Sequence, residues 1–125
     1  MILGVGNDIL EIGRMERELA QPGSDLRDEL FTAEEVAYCE RQRYPARHYA
    51  VRFAAKEAFL KALKTGLQNG ISWKDVGVTH RPDGAPQLIL SGEADRIASA
   101  RGVLNSFVSI SHTSTVAMAS VVLEG

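Results

Sequence analysis

The chain has 125 residues, 45% of them apolar and 24% charged, with 14 Lys plus Arg against 16 Asp plus Glu. That profile fits one globular domain spanning residues 1–125, and so even a charge balance excludes a general nucleic-acid binder, which would carry a basic excess. Cys39 is the sole cysteine, which excludes an intrachain disulfide and a cysteine-built zinc site; no basic leader and no apolar run near ~18 residues is present, so the expectation is a cytoplasmic protein with no membrane span.

In chain order, "MILGVG" reads as a short buried strand in which Gly4 and Gly6 allow another backbone to approach closely. Asp8 then precedes "ILEIGRMEREL", where Ile9, Ile12, Met15 and Leu19 predict one face of a helix. "QPGSD" breaks it. Thr32 with Glu35 three residues later is a capping-box signature opening a helix over residues 33–43. Beyond Pro45 the pattern predicts a long helix over residues 47–64, stopping before Gly66. In the second half, "WKDVGVTH" and "APQLILS" flank the turn-forming "RPDG" and predict a hairpin. A short helix over residues 93–100 stops at Gly102, and residues 106–112 and 115–124 predict two closing strands. The class is α+β, with helices concentrated in the first half and antiparallel strands in the second.

The long helix carries the most informative pattern. At roughly 100° per residue, Ala54, Ala55, Ala58, Phe59, Ala62 and Leu63 sweep out a broad apolar face, and Phe53 and Leu60 lie across from it. Glu57, Lys61 and Lys64 fill the narrow arc that is left. A surface ion pair at i, i+4 is worth only ~0.2–0.5 kcal/mol and is the ordinary explanation for Glu57 and Lys61. Flanking by Phe53 and Leu60 weakens it, because a charge cluster that meets protein or ligand must be paired or bound to ions. A divalent cation on the carboxylate, with anionic phosphate oxygens on the lysines, would satisfy the cluster. Asp8 has two readings as well. Its spacing to Glu11 fits a helix N-cap with a supporting acid, which spacing alone favours, while a carboxylate at a strand end can hold a hard cation such as Mg²⁺.

Weaker signals complete the inventory. Lys64, Thr65 and Gly66 fit a simple helix end and also a phosphate contact. His48, His80 and His112 show no metal-binding spacing; His112 closes a strand, where it either projects into a cleft or faces solvent. Arg14 and Arg17 are neighbours on the first helix among Glu11, Glu16 and Glu18, a mixed solvated face or a small docking spot for an acidic partner. Arg41, Arg43, Arg47 and Arg52 form the clearest local basic feature.

Taken together, "GVGNDILEI" at 4–12, "RFAAKEAFLKALKTG" at 52–66, "DGAP" at 83–86 and "VSISHT" at 108–113 resemble the small bacterial 4′-phosphopantetheinyl transferases, the holo-(acyl-carrier-protein) synthase type. The F-A-x-K-E-x-x-x-K-A block is long and specific, and order and spacing agree along nearly the entire chain. The resemblance implies the fold of that family, helices packed on a small antiparallel sheet and assembling as a homotrimer. It implies transfer of the 4′-phosphopantetheine arm of coenzyme A to a serine of an apo acyl carrier protein, with release of 3′,5′-ADP, in support of fatty acid biosynthesis.

By the same resemblance, Asp8 and Glu57 are the ligands of a Mg²⁺ that also meets the coenzyme A diphosphate. Asp8, Glu57 and Lys61 are the catalytic group, with Lys61 stabilising the departing 3′,5′-ADP. The base for the serine stays open between Glu57 and a metal-bound water held by a carboxylate such as Asp8. Arg52, Lys56, Lys61, Lys64, Thr65, Gly66 and His112 match positions near bound coenzyme A, and Gly84 and Pro86 belong to a loop close to the nucleotide of a neighbouring subunit. Arg14 and Arg17 match the carrier-protein docking surface. Two features depart from the family pattern: Lys64 replaces a usual glycine, and glutamates crowd Arg14. A coenzyme A-binding scaffold without transfer and a metal-dependent phosphohydrolase are the rival readings. The first has no need of Asp8, Glu57 and Lys61 together, and the second calls for more acidic or histidine ligands than the chain offers.

Overall fold

The computed structural model describes residues 1–125. The elements are β1 (Ile2–Glu11), α1 (Ile12–Leu19), α2 (Leu26–Leu30), α3 (Ala33–Glu40), α4 (Pro45–Leu63), β2 (Val76–His80), β3 (Pro86–Leu90), α5 (Gly92–Ala100), β4 (Asn105–His112) and β5 (Val116–Glu124), with a 3-10 turn at Trp73–Asp75 before β2. They form an antiparallel three-stranded sheet in the order β1-β5-β4 and a separate β2–β3 hairpin. The α+β reading holds, with the strands divided between two sheets. No helix is long and apolar enough to cross a membrane.

The largest correction is at the first strand. β1 does not end near Gly6 but runs to Glu11, pairing with β5 from Ile2↔Glu124 to Glu11↔Val116. Asp8 is therefore no helix cap; Glu11 occupies the N-cap position of α1 and makes no side-chain capping bond. Backbone pairing with a strand more than a hundred residues later overrode the local helical pattern, as tertiary context routinely does. Ile9, expected on the helical face, instead points outward from the sheet and is 68% exposed. Ile12, Met15 and Leu19 remain the buried face of α1.

α4 is the central element, and its packing explains the glycines of β1. Gly4 and Gly6 lie on one face of the strand, where an added Cβ would overlap the carbonyl oxygens of Ala62 and Ala58. Strand and helix meet backbone to backbone, with small residues on both sides. Pro45 begins the helix at its first position, where its missing N–H costs nothing, rather than separating from it. The helix ends at Lys64, in the left-handed conformation at φ 64°, two residues before the glycine expected to stop it. The Lys64 N–H donates to the Lys61 carbonyl at 3.1 Å and the Thr65 N–H to the Leu60 carbonyl at 3.3 Å, closing the last turn.

Two apolar cores result, one between α4, the sheet and the hairpin around Phe59, Leu63 and Val121, the other between α1, α3 and the start of α4 around Met15, Phe31 and Tyr49. Thr32 and Glu35 form the predicted capping box of α3, with Thr32 N–H to Glu35 Oε1 at 2.9 Å and Glu35 N–H to Thr32 Oγ1 at 3.1 Å. α3 stops at Glu40, short of the expected residue 43, and α2 had no clear sequence signal. The hairpin strands are shorter than predicted because Trp73–Asp75 winds into a 3-10 turn, capped by Ser72. The outer face of the three-stranded sheet leaves Val5, Ile9, Phe107 and Met118 exposed.

Candidate active site

Extension of β1 places Asp8 two residues beyond Gly6, on the same face and directly against α4. Glu57 and Lys61, one turn apart on α4, meet it there. The Lys61 ammonium donates to Asp8 Oδ1 at 2.8 Å and to the Asn7 carbonyl at 2.9 Å. Asp8 and Glu57 line one cavity of about 410 Å³ together with Leu10, Arg14, Met15 and Phe53. The two acids named from opposite ends of the sequence pattern thus converge on one site.

Its electrostatics are unbalanced. Partial burial, and then the nearby Asp8 charge, push the Glu57 carboxyl above its usual pKa, while Lys61 pulls in the opposite direction. Two carboxylates share one ammonium, which is already bonded to Asp8. A cation between the acids would relieve their repulsion and free Lys61 for an anionic ligand. No third His, Cys, Asp or Glu joins them in a metal-sized cluster. Two hard oxygen donors with the remaining positions open suit Mg²⁺, which keeps several waters or takes phosphate oxygens, and do not suit a structural zinc site.

The other predicted residues fall into separate groups. Arg52 is buried; its Nη1 donates to the His48 carbonyl at 3.2 Å, its guanidinium lies 4.3 Å from the Tyr38 ring centre, and its Nε is the one buried side-chain polar atom without a hydrogen-bond partner. It lines a cavity of about 170 Å³ with His48, His80 and His112. His112 is exposed and also faces the ring of His48, at 5.8 Å between centroids. Lys64 and Gly66 are exposed at the end of α4, and the buried Thr65 hydroxyl donates to the Gly66 carbonyl at 2.9 Å. Gly84 stands at the exposed hairpin tip and Pro86 starts β3; neither reaches the Asp8–Glu57 cavity. Arg14 lines that cavity and is paired with Glu18 at 3.2 Å, while Arg17 lines a neighbouring one.

Lys56 requires a correction as a residue near the ligand. It has no exposed surface, and its ammonium is fully engaged by Glu35 Oε1 at 2.8 Å, the Val76 carbonyl at 2.5 Å and the Trp73 carbonyl at 3.2 Å. A lysine with all three donors occupied inside the core has none left for a phosphate. Sequence reasoning also missed two features of the site's surroundings. Glu35, seen only as a capping acid, is the buried partner of Lys56. The three histidines, judged one by one for metal spacing, gather around Arg52 from α4, β2 and β4, an arrangement no local spacing records. Burial, and then the Arg52 charge, hold the His48 and His80 imidazoles below their ordinary pKa.

The whole arrangement has close parallels. Residues 4–119 match the family described as the 4′-phosphopantetheinyl transferase superfamily. A holo-(acyl-carrier-protein) synthase of Syntrophotalea carbinolica is 48% identical over 122 residues, covering 98% of this chain and 95% of that one. The crystal structure of the synthase from Neisseria meningitidis superposes with a TM-score of 0.92 at 30% identity, covering 100% of both chains. The synthase from Bacillus anthracis, solved in complex with coenzyme A (3′,5′-ADP), matches with a TM-score of 0.81 at 34% identity, over 99% of this chain and 97% of that one. Agreement of sequence and fold along essentially the full length is decisive: the chain belongs to the 4′-phosphopantetheinyl transferase superfamily.

Proposed function

We propose that this chain, as a single transferase domain over residues 1–125, moves the 4′-phosphopantetheine arm of coenzyme A onto a serine hydroxyl of an apo acyl carrier protein and releases 3′,5′-ADP. The observation that carries the reading is the meeting of Asp8 and Glu57 on one cavity with the Lys61 ammonium 2.8 Å from Asp8 Oδ1. In the reaction, the serine oxygen forms a bond to the phosphorus that bears the pantetheine arm, and the bond from that phosphorus to the bridging diphosphate oxygen breaks. The serine proton leaves to Glu57, or through a water to a carboxylate such as Asp8. Asp8 and Glu57 would hold Mg²⁺, which when bound neutralises diphosphate charge. Lys61 then faces the anionic oxygens from one helical turn further on, stabilises charge on the departing 3′,5′-ADP and is placed to donate a proton to it.

Other residues complete the substrate site in this proposal. Arg52, which lines a cavity shared with His112, is the cation offered there to a phosphate of coenzyme A. Lys64, Thr65 and Gly66 at the end of α4 supply further contacts, and the hairpin tip with Gly84 and Pro86 reaches the nucleotide bound by a neighbouring subunit of a homotrimer. The exposed apolar row on the outer face of the sheet supports that assembly. Arg14 and Arg17 meet the acidic carrier protein, with the cavity between α1 and α4 beside them. The proposal extends to a cytoplasmic role in fatty acid biosynthesis.

The direct test mixes the protein with coenzyme A, Mg²⁺ and apo acyl carrier protein and reads the carrier by intact mass spectrometry. The expected product carries one phosphopantetheine, its formation stops on chelation of the metal, and Mg²⁺ restores it. A carrier that stays unmodified under every metal condition overturns the reading.

A further inference from the structure

The buried pair Glu35–Lys56 lies outside the transfer chemistry, and neither residue lines the Asp8–Glu57 cavity. What it does is hold an edge. β2 and β3 pair only with each other, and an isolated two-stranded hairpin is marginally stable in water. Two of the β2 groups that face away from β3, the Val76 carbonyl and the Val78 N–H, are met by this pair instead of a third strand. Lys56 Nζ donates to the Val76 carbonyl at 2.5 Å, and Glu35 Oε2 accepts from the Val78 N–H at 3.0 Å. Glu35 Oε1 also takes the Thr32 N–H at 2.9 Å, so α3, α4 and β2 are joined through one carboxylate.

Stability alone does not call for such a device, since burying two charges costs several kcal/mol each and apolar replacements often hold a fold as well. An apolar pair, however, could not match one carbonyl and one N–H on a strand edge, and so could not set the strand's position. The far end of the hairpin transmits that position. Its turn is closed by Arg81 N–H to the Ala85 carbonyl at 2.8 Å, and Asp83 accepts from Ala85 N–H at 2.9 Å and pairs with Arg81 at 2.8 Å.

We infer that Glu35 and Lys56 are positioning residues, which aim the hairpin so that its tip completes the coenzyme A site of the neighbouring subunit. The inference rests on the shared-site reading above. Glu35→Gln tests it, because an amide offers one acceptor oxygen where the carboxylate offers two. Hydrogen exchange of the β2 and β3 amides should accelerate and KM for coenzyme A should rise, each by about tenfold, the scale of one lost charged hydrogen bond, with kcat nearly unchanged. Should Glu35→Gln fail to fold, Lys56→Arg keeps the charge but alters the reach to Val76 and carries the same expectation.

Subunit mixing supplies a readout that a purely structural role would not move. Glu35→Gln chains assembled with an excess of Glu57→Gln chains pair an intact Glu57 with a neighbour's intact hairpin, so KM should return to the parental value. A monomeric parent by light scattering removes the shared-site reading and the inference together. A trimer whose Glu35→Gln variant shows unchanged exchange, or whose raised KM mixing does not rescue, overturns the inference alone.

Discussion

Glu57 shows how a single side chain can be poor for the free protein and suited to the role proposed for it. Burial and the Asp8 charge raise its folded-state pKa above the unfolded value. A group shifted in that direction contributes stability that is complete below the unfolded carboxylate pKa and is lost as pH rises through the folded one. At neutral pH the ionised Glu57 therefore weighs on the fold, a cost the proposed cation would relieve. Glu57→Gln should leave the melting temperature at neutral pH equal to or above the parent's and flatten its fall between acid and neutral pH. Mg²⁺ should raise the melting temperature of the parent and not of the variant, while transfer drops by roughly a hundredfold or more. Melting curves with and without metal, beside the mass-spectrometric assay, check all three.

At the scale of elements, the site depends on how closely β1 lies against α4. The sequence pattern identified Gly4 and Gly6 as points of close approach, and the structure names what approaches: the carbonyls of Ala62 and Ala58. Gly6→Ala would force strand and helix apart, at about 1–3 kcal/mol or more for an overpacked contact, measurable by denaturant unfolding. The same displacement should lower transfer, because Asp8 follows Gly6 on the same face. The other end of α4 behaves in the opposite sense. Lys64 sits at φ 64°, where a non-glycine residue costs about 1–2 kcal/mol. Lys64→Gly should raise the melting temperature by roughly 4 °C, and, if its ammonium meets coenzyme A as proposed, should weaken coenzyme A binding in calorimetry.

For the whole molecule, the outer sheet face is the feature a single chain leaves unexplained. Phe107 is 55% exposed and lies on β4, two strands from Val5, with Val122 of β5 paired to both. In the proposed homotrimer these side chains are covered by the equivalent faces of two neighbours. Phe107→Asp should reduce the mass seen by light scattering from three chains to one. Because the hairpin tip would then lose the neighbouring site proposed for it, KM for coenzyme A should rise in the same variant.

The residues of β1 and α4 show where the sequence was sufficient and where it was not. The charged arc of Glu57, Lys61 and Lys64, the capping box at Thr32 and Glu35, and the hairpin around "RPDG" were legible because each follows from local periodicity or turn chemistry. Asp8 was grouped with Glu57 and Lys61 by resemblance, and the structure brings the three together, but spacing put it in the wrong element, since only pairing with β5 carries the strand on to Glu11. Lys56 lay on the same helix as Glu57 and shared its motif, yet the fold turned it inward to Glu35 and the edge of β2. Sequence by itself determined which side chains were available and, where local periodicity held as along α4, on which face of the element they stood. Tertiary structure decided which of them met, because a long-range backbone ladder and a buried charge pair are energies between segments that no local window contains.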